Sequence, residues 1–255
     1  MLFKKSLTTA AICAALAVTS FNVMAADTTV TSDATLTVVG EFNPGACTPE
    51  FTGGGIIDYG KHPNMALNPT GVTNTLVQLG RKTTTLTIKC TAPTLFAITS
   101  FDNRLDSRLP LSGTAYVAKA FGKQMDMANT SNGFGLGLAP NGQKIGAFTI
   151  GIDTMAGAVT ASDDTGDLTV DVIQTGDFTP AVPTWIKSDT GSIISTNGAK
   201  NRAYSVAKTG ELTPVAITMA QFPLLIDAAV QDNTVLGTTE VIKLDGNVTL
   251  QVLYL

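Results

Sequence analysis

The sequence predicts an all-β fold, a mostly antiparallel β-sandwich, and three observations predict it. Short runs alternate apolar and polar residues, the period-2 pattern of a strand with one face on a core. The 24 glycines and 11 prolines among 255 residues break those runs at short intervals, and aromatic residues make up only 6%. Short strands joined by turns have that composition. Finally, the last nine residues, Asn247-Val248-Thr249-Leu250-Gln251-Val252-Leu253-Tyr254-Leu255, alternate to the end. Val248, Leu250, Val252 and Tyr254 therefore share one face, which must be buried somewhere. Chain ends ordinarily fray, so this strand has to be held, by its own sheet or by a partner.

In chain order, Lys4 and Lys5 precede an apolar stretch over 7–18, and Val23-Met24-Ala25 offers a cleavage site. This reads as a secretory signal peptide over 1–25, with the exported chain starting at Ala26. The apolar stretch is too short for a stable membrane anchor, and bulky Ile12 before Cys13 argues against lipid attachment. Residues 34–38 read as a first strand, followed by the turn Asn43-Pro44-Gly45. Further strands are expected over 56–59, 75–79, 83–90 and 95–101. Tyr116, Val117, Ala120 and Phe121 have the spacing of a short helix within 114–127, and 132–146 reads as a glycine-rich loop. Strands follow over 144–152 and 168–174, separated by an acidic turn at 162–167, and 175–201 reads as surface loops. The last third regains strands over 204–207, 212–219, 224–229, 240–244 and 248–255. Without repeat or linker, residues 26–255 form one domain.

Export leaves Cys47 and Cys90, and an even pair in an oxidising compartment predicts a disulfide. Such a bridge contributes roughly 4 kcal/mol on the chain-entropy model. Without the two signal lysines, 16 Lys and Arg against 20 Asp and Glu leave a net charge of −6. Nucleic acid and anionic membrane surfaces call for clustered positive charge, so neither is an expected partner.

Catalytic chemistry has little to work with. His62 is the sole histidine and lies in a Pro- and Asn-rich loop, and no Gly-x-Ser-x-Gly elbow occurs. Gly133-Phe134-Gly135-Leu136-Gly137 lacks the Gly-Lys-Ser/Thr ending of a phosphate loop. Asp163, Asp164, Asp167 and Asp171 could supply oxygen ligands to calcium, but not at the spacing of a calcium loop, and they read as a solvated turn. A carboxylate pair for glycoside hydrolysis has no sugar-stacking platform beyond the single Trp185. The expectation is a protein that is not an enzyme and holds no cofactor or metal. What remains is interface chemistry: an unpaired strand edge exposes N–H and C=O groups to which another chain can add.

Several segments resemble the subunits of chaperone–usher fimbriae. Thr37-Val38-Val39-Gly40-Glu41-Phe42-Asn43-Pro44-Gly45-Ala46-Cys47 resembles their opening, Ile57-Asp58-Tyr59-Gly60 their next hydrophobic segment, and Leu86-Thr87-Ile88-Lys89-Cys90 the strand carrying their second cysteine. Penultimate Tyr254 matches their C-terminal signature. Two departures are Ile242, where pilins tend to carry glycine, and surplus length over about 100–200. Across its length, including the stretch 204–218, the chain is similar to the GltF-like periplasmic proteins of enteric bacteria.

This resemblance implies an immunoglobulin-like, pilin-like antiparallel β-sandwich with a large central insertion at about 100–200, located in the periplasm or on the cell surface. It implies a periplasmic chaperone and neighbouring fimbrial subunits as partners, in pilus assembly or adhesion. The assembly edge would be Val248, Leu250, Val252 and Tyr254, and the candidate donor strand Val30, Ala34, Leu36 and Val38. The alternative is a stand-alone periplasmic factor associated with glutamate synthesis and nitrogen regulation, as the family name implies; the residues themselves show no amino-acid pocket.

Overall fold

Apolar alternation becomes stable structure only where a strand finds a hydrogen-bonded neighbour and a covered face. In a computed structural model, residues 36–39, 45–67, 73–197, 201–237 and 239–255 are described. The chain divides into Met1–Phe42 and Asn43–Leu255. In the first unit only residues 36–39 are described. Their backbone is not a strand, and Leu36 and Val38 are both 88% exposed, in contrast to the strand expected over 34–38. Val30, Ala34 and the expected signal peptide lie outside the described residues.

The second unit carries the strands β1 (Cys47–Phe51), β2 (Val77–Thr94), β3 (Phe96–Asp102), β4 (Val117–Ala120) and β5 (Met125–Met127). They are followed by β6 (Phe134–Gly135), β7 (Gly146–Ile152), β8 (Thr160–Ser162), β9 (Asp167–Leu168) and β10 (Val170–Thr175). Then come β11 (Trp185–Lys187), β12 (Ala203–Lys208), β13 (Ile217–Val230), the one-turn helix α1 (Asn233–Leu236) and β14 (Val248–Tyr254). One sheet has the order β1-β2-β13-β7-β6, with β8 beside β13 and β9 beside β8. The other has the order β11-β10-β12-β3-β14, and all the pairings are antiparallel. Between the two sheets, Leu86, Ile88, Phe222 and Ile152 of the first pack with Phe96, Ile98, Tyr204 and Val206 of the second. Phe96 meets Phe222 edge to face at 6.3 Å. Each such buried side chain stabilises the fold by about 1.5–3 kcal/mol relative to exposure.

Cys47 and Cys90 face each other in the β1–β2 register and form the expected disulfide, with an S–S distance of 2.02 Å. The strands expected over 75–79 and 83–90 fuse into β2. At the junction the register with β13 skips Leu79 and Gly80 has φ 82, a bulge that glycine permits. Strands between residues 100 and 197 enter both sheets, β7 beside β13 and β10 beside β12.

The helix expected within 114–127 is instead the β4–β5 hairpin, a two-stranded sheet. Lys119, Phe121 and Gln124 all have positive φ, which a right-handed helix excludes. The Arg81 guanidinium, paired with Asp227, donates to the carbonyls of Lys119 and Phe121 at 2.6 and 2.7 Å. It thereby takes carbonyls that a helix would have used internally. The segments 56–59 and 240–244 belong to neither sheet.

Candidate functional site

The C-terminal strand β14 lies at the edge of its sheet, with β3 on one side and no strand among the described residues on the other. Its register runs from Val248 opposite Asp102 to Tyr254 opposite Phe96. Just beyond each end the two chains bond directly, Asn103 N–H to the Asn247 carbonyl at 2.9 Å and Leu255 N–H to the Leu95 carbonyl at 3.2 Å. In an antiparallel pair, inward- and outward-directed backbone groups alternate residue by residue. The odd-numbered residues therefore face β3, and the N–H and C=O groups of Val248, Leu250, Val252 and Tyr254 point to the open edge. Side chains alternate in phase with them: Val248, Leu250 and Val252 pack against the main core, while Leu253 packs on the opposite face with Ile173 and Trp185. The same four positions thus offer both backbone hydrogen bonds and an apolar face.

Tyr254 ends this row differently from the other three. The residue is 57% exposed, and its hydroxyl accepts a hydrogen bond from Cys47 N–H at 2.9 Å. That bond ties the end of β14 to the start of β1, the edge of the opposite sheet, next to the disulfide. At the other end the two sheets part around a groove of about 950 Å³. Phe148, Ile150, Leu224 and Ile226 of the first sheet line it, facing Val248 and Leu250 of β14.

Two segments outside the sheets border the groove. Residues 56–62 contribute Ile57 and Tyr59, both half-buried against the core. The Tyr59 hydroxyl donates to the Ile226 carbonyl at 3.0 Å, and burial, aided by nearby Asp227, pushes its phenol well above the usual tyrosine range. The second segment, 239–246, contributes Ile242 and Leu244. Its base is fixed where Asp245 N–H donates to the Leu136 carbonyl and its carboxylate takes both ends of the Arg104 guanidinium, at 2.7 and 3.1 Å. That pairing holds the Asp245 carboxyl below the usual carboxylate range. Just past the first segment, the Asn64 side chain donates to the Glu240 carbonyl of the second at 3.1 Å.

The other sequence-derived candidates lie elsewhere or serve packing. His62 stands at the groove rim with Nε2 2.7 Å from the Tyr59 carbonyl. Asp163 closes its own turn, accepting from the N–H and hydroxyl of Thr165 and from Gly166 N–H, which lowers its carboxyl's pKa. Gly135 lies within β6, where a Cβ would fall 2.1 Å from the Arg104 carbonyl oxygen, so the glycine serves close packing. Among the described residues, no helix is long and apolar enough to cross a membrane. Sequence reasoning missed the groove's floor and rim. Their one local signal was the run Gly53-Gly54-Gly55 ahead of Ile57 and Tyr59.

A family described as "Protein of unknown function (DUF1120)" matches residues 36–149. Protein GltF of Escherichia coli (strain K12) is 62% identical over 257 residues, covering 100% of both chains. Uncharacterized protein YhcF of the same organism is 30% identical over 218 residues, 82% of this chain and 85% of that one. No solved structure matches. An identity of 62% sustained from end to end leaves little room for a different relationship, and the chain belongs to the family of Protein GltF.

Proposed function

We propose that this is an exported, non-enzymatic, fimbrial-subunit-like protein that works by strand complementation in pilus assembly or surface adhesion. The observation that carries this reading is the open edge of β14 beside an apolar groove of about 950 Å³. A strand laid along that edge takes its backbone bonds from Val248, Leu250, Val252 and Tyr254 and sends alternate side chains toward the groove. Each apolar side chain buried there contributes about 1.5–3 kcal/mol, so a few anchors suffice for a specific complex. The periplasm is the compartment, in keeping with the Cys47–Cys90 bridge. A periplasmic chaperone supplies the covering strand first, and a neighbouring subunit's Val30, Ala34, Leu36 and Val38 replace it. The exposure of Leu36 and Val38 supports their role as donors.

Co-purification from the periplasm with the cognate chaperone tests the reading. Tyr254→Ser, or deletion of residues 252–255, should abolish the complex; an unchanged yield would sink the hypothesis. Size-exclusion of the chain expressed without a chaperone adds a second check. Aggregation or proteolysis supports an incomplete subunit, and a monomer with cooperative melting supports the stand-alone factor instead.

A further inference from the structure

The groove's border is built unevenly. Segment 239–246 is pinned at its base by a backbone hydrogen bond and the two-pronged Arg104–Asp245 pair. Segment 56–62 belongs to no sheet, and its first part, 56–59, lies between glycines in left-handed conformations: Gly53, Gly54 and Gly55 (φ 69, 69 and 75) before it and Gly60 (φ 80) after it. Around Gly53, Gly54 and Gly60 a Cβ would meet nothing within 4 Å, so these glycines serve backbone conformation rather than close packing. Yet Ile57 and Tyr59, between the two hinges, are half-buried over the groove, and the Tyr59 hydroxyl reaches Ile226 on its floor. A segment without ladder bonds, with left-handed glycines before it and within it, and resting on apolar contacts plus few hydrogen bonds, belongs to the low-stability end of a fold.

We propose that residues 56–62 are a flap that covers the groove in the free protein and swings out when a strand arrives, with the Tyr59–Ile226 hydrogen bond as its latch. The strand-accepting role of the groove comes from the reading above, and the flap adds its regulation. While closed, the flap keeps Ile57 and Tyr59 over apolar surface that would otherwise face water. An incoming strand competes with those contacts, so opening sets the rate of capture.

The test uses the chain from Ala26 onward with its disulfide intact. Ile57→Cys is labelled with a thiol reagent in the presence and absence of Tyr59→Phe, and Ile56→Cys, at an exposed position, serves as the control. Loss of one net hydrogen bond should raise the labelling rate of the Ile57→Cys variant about fivefold and leave the control unchanged. In stopped flow, a fluorescein-labelled peptide of residues 26–39 should associate faster with Tyr59→Phe by a similar factor, with matching circular dichroism for the two proteins. Labelling of the Ile57→Cys variant at a rate indifferent to Tyr59→Phe overturns the flap. Accelerated labelling with no peptide binding to either protein leaves the flap standing and removes the strand-accepting role.

Discussion

Replacing Arg81 by alanine should destabilise this protein by about 3 kcal/mol. Arg81 donates to both carboxylate oxygens of Asp227 at 2.9 Å and to the carbonyls of Lys119 and Phe121. The Asp227 side chain is 6% exposed, so without Arg81 its charge is left with Phe121 N–H at 3.3 Å as the remaining donor in this cluster. Breaking a buried pair from one side costs about 3–5 kcal/mol. Arg81 is itself 29% exposed and water can enter behind it, which places this site at the low end. The β4–β5 turn loses its tether as well, freeing three positive-φ residues to relax. Urea unfolding followed by far-UV circular dichroism gives the stability, and Arg81→Met with Asp227→Leu completes the argument. Removing both charges should restore most of the loss, because an apolar pair of similar volume is often neutral at such a site. A single-variant cost below about 1 kcal/mol, or a double variant worse than either single, would refute this account of the pair.

Gly135→Ala should cost about 3 kcal/mol, since the new Cβ lands 2.1 Å from a backbone carbonyl oxygen and 2.5 Å from Ser107 Oγ; an unchanged urea midpoint would contradict that packing. Cys47→Ala with Cys90→Ala should lower stability by about 2–5 kcal/mol, read from the same midpoint in oxidised and reduced protein. Asp102 is buried on β3 opposite Val248, and burial holds its carboxyl above the usual carboxylate range even though Gly135 and Arg104 N–H groups donate to it. A raised folded pKa means the native state keeps this proton longer than the unfolded chain does. Its contribution therefore favours folding at low pH and is lost as pH rises from about 4 through the folded value. The unfolding cost of Asp102→Asn should accordingly shrink between pH 3.5 and 7, and a cost that grows over that interval would show the sign to be wrong.

Period-2 alternation made the sandwich and the terminal strand legible, because one buried face per strand leaves its mark on the residues themselves. Cysteine parity and compartment made the disulfide legible for a different chemical reason. The errors arose where a distant residue decides the local backbone. Tyr116, Val117, Ala120 and Phe121 have helical spacing, yet Arg81, some 40 positions earlier, captures the carbonyls and turns the segment into a hairpin. Residues 56–59 and 240–244 have the composition of strands but find no ladder, and their apolar side chains border a groove instead. Beyond the Gly53-Gly54-Gly55 run ahead of its rim, that groove had no sequence signature, because its walls come from separate stretches of chain.

The edges of the two sheets differ in how they are guarded. Natural sheets protect an edge by keeping it short or by placing charge or proline on it. Here β6 and β9 have two residues each, and β11 has three, ending in Lys187, which pairs with Asp171 at 2.9 Å. β1 has five, carries Pro49 and Glu50, and is bridged to β2 by the disulfide. The open first half of β2 presents Arg81 and Lys82. β14 has seven residues, Val-Thr-Leu-Gln-Val-Leu-Tyr, with no charge, no proline and no bulge. Among the described residues, the long edge without these guards is the one beside the apolar groove. An edge of that kind is a hazard in water unless something covers it, and the strand complementation proposed above would meet both requirements at once, pairing the backbone and filling the groove.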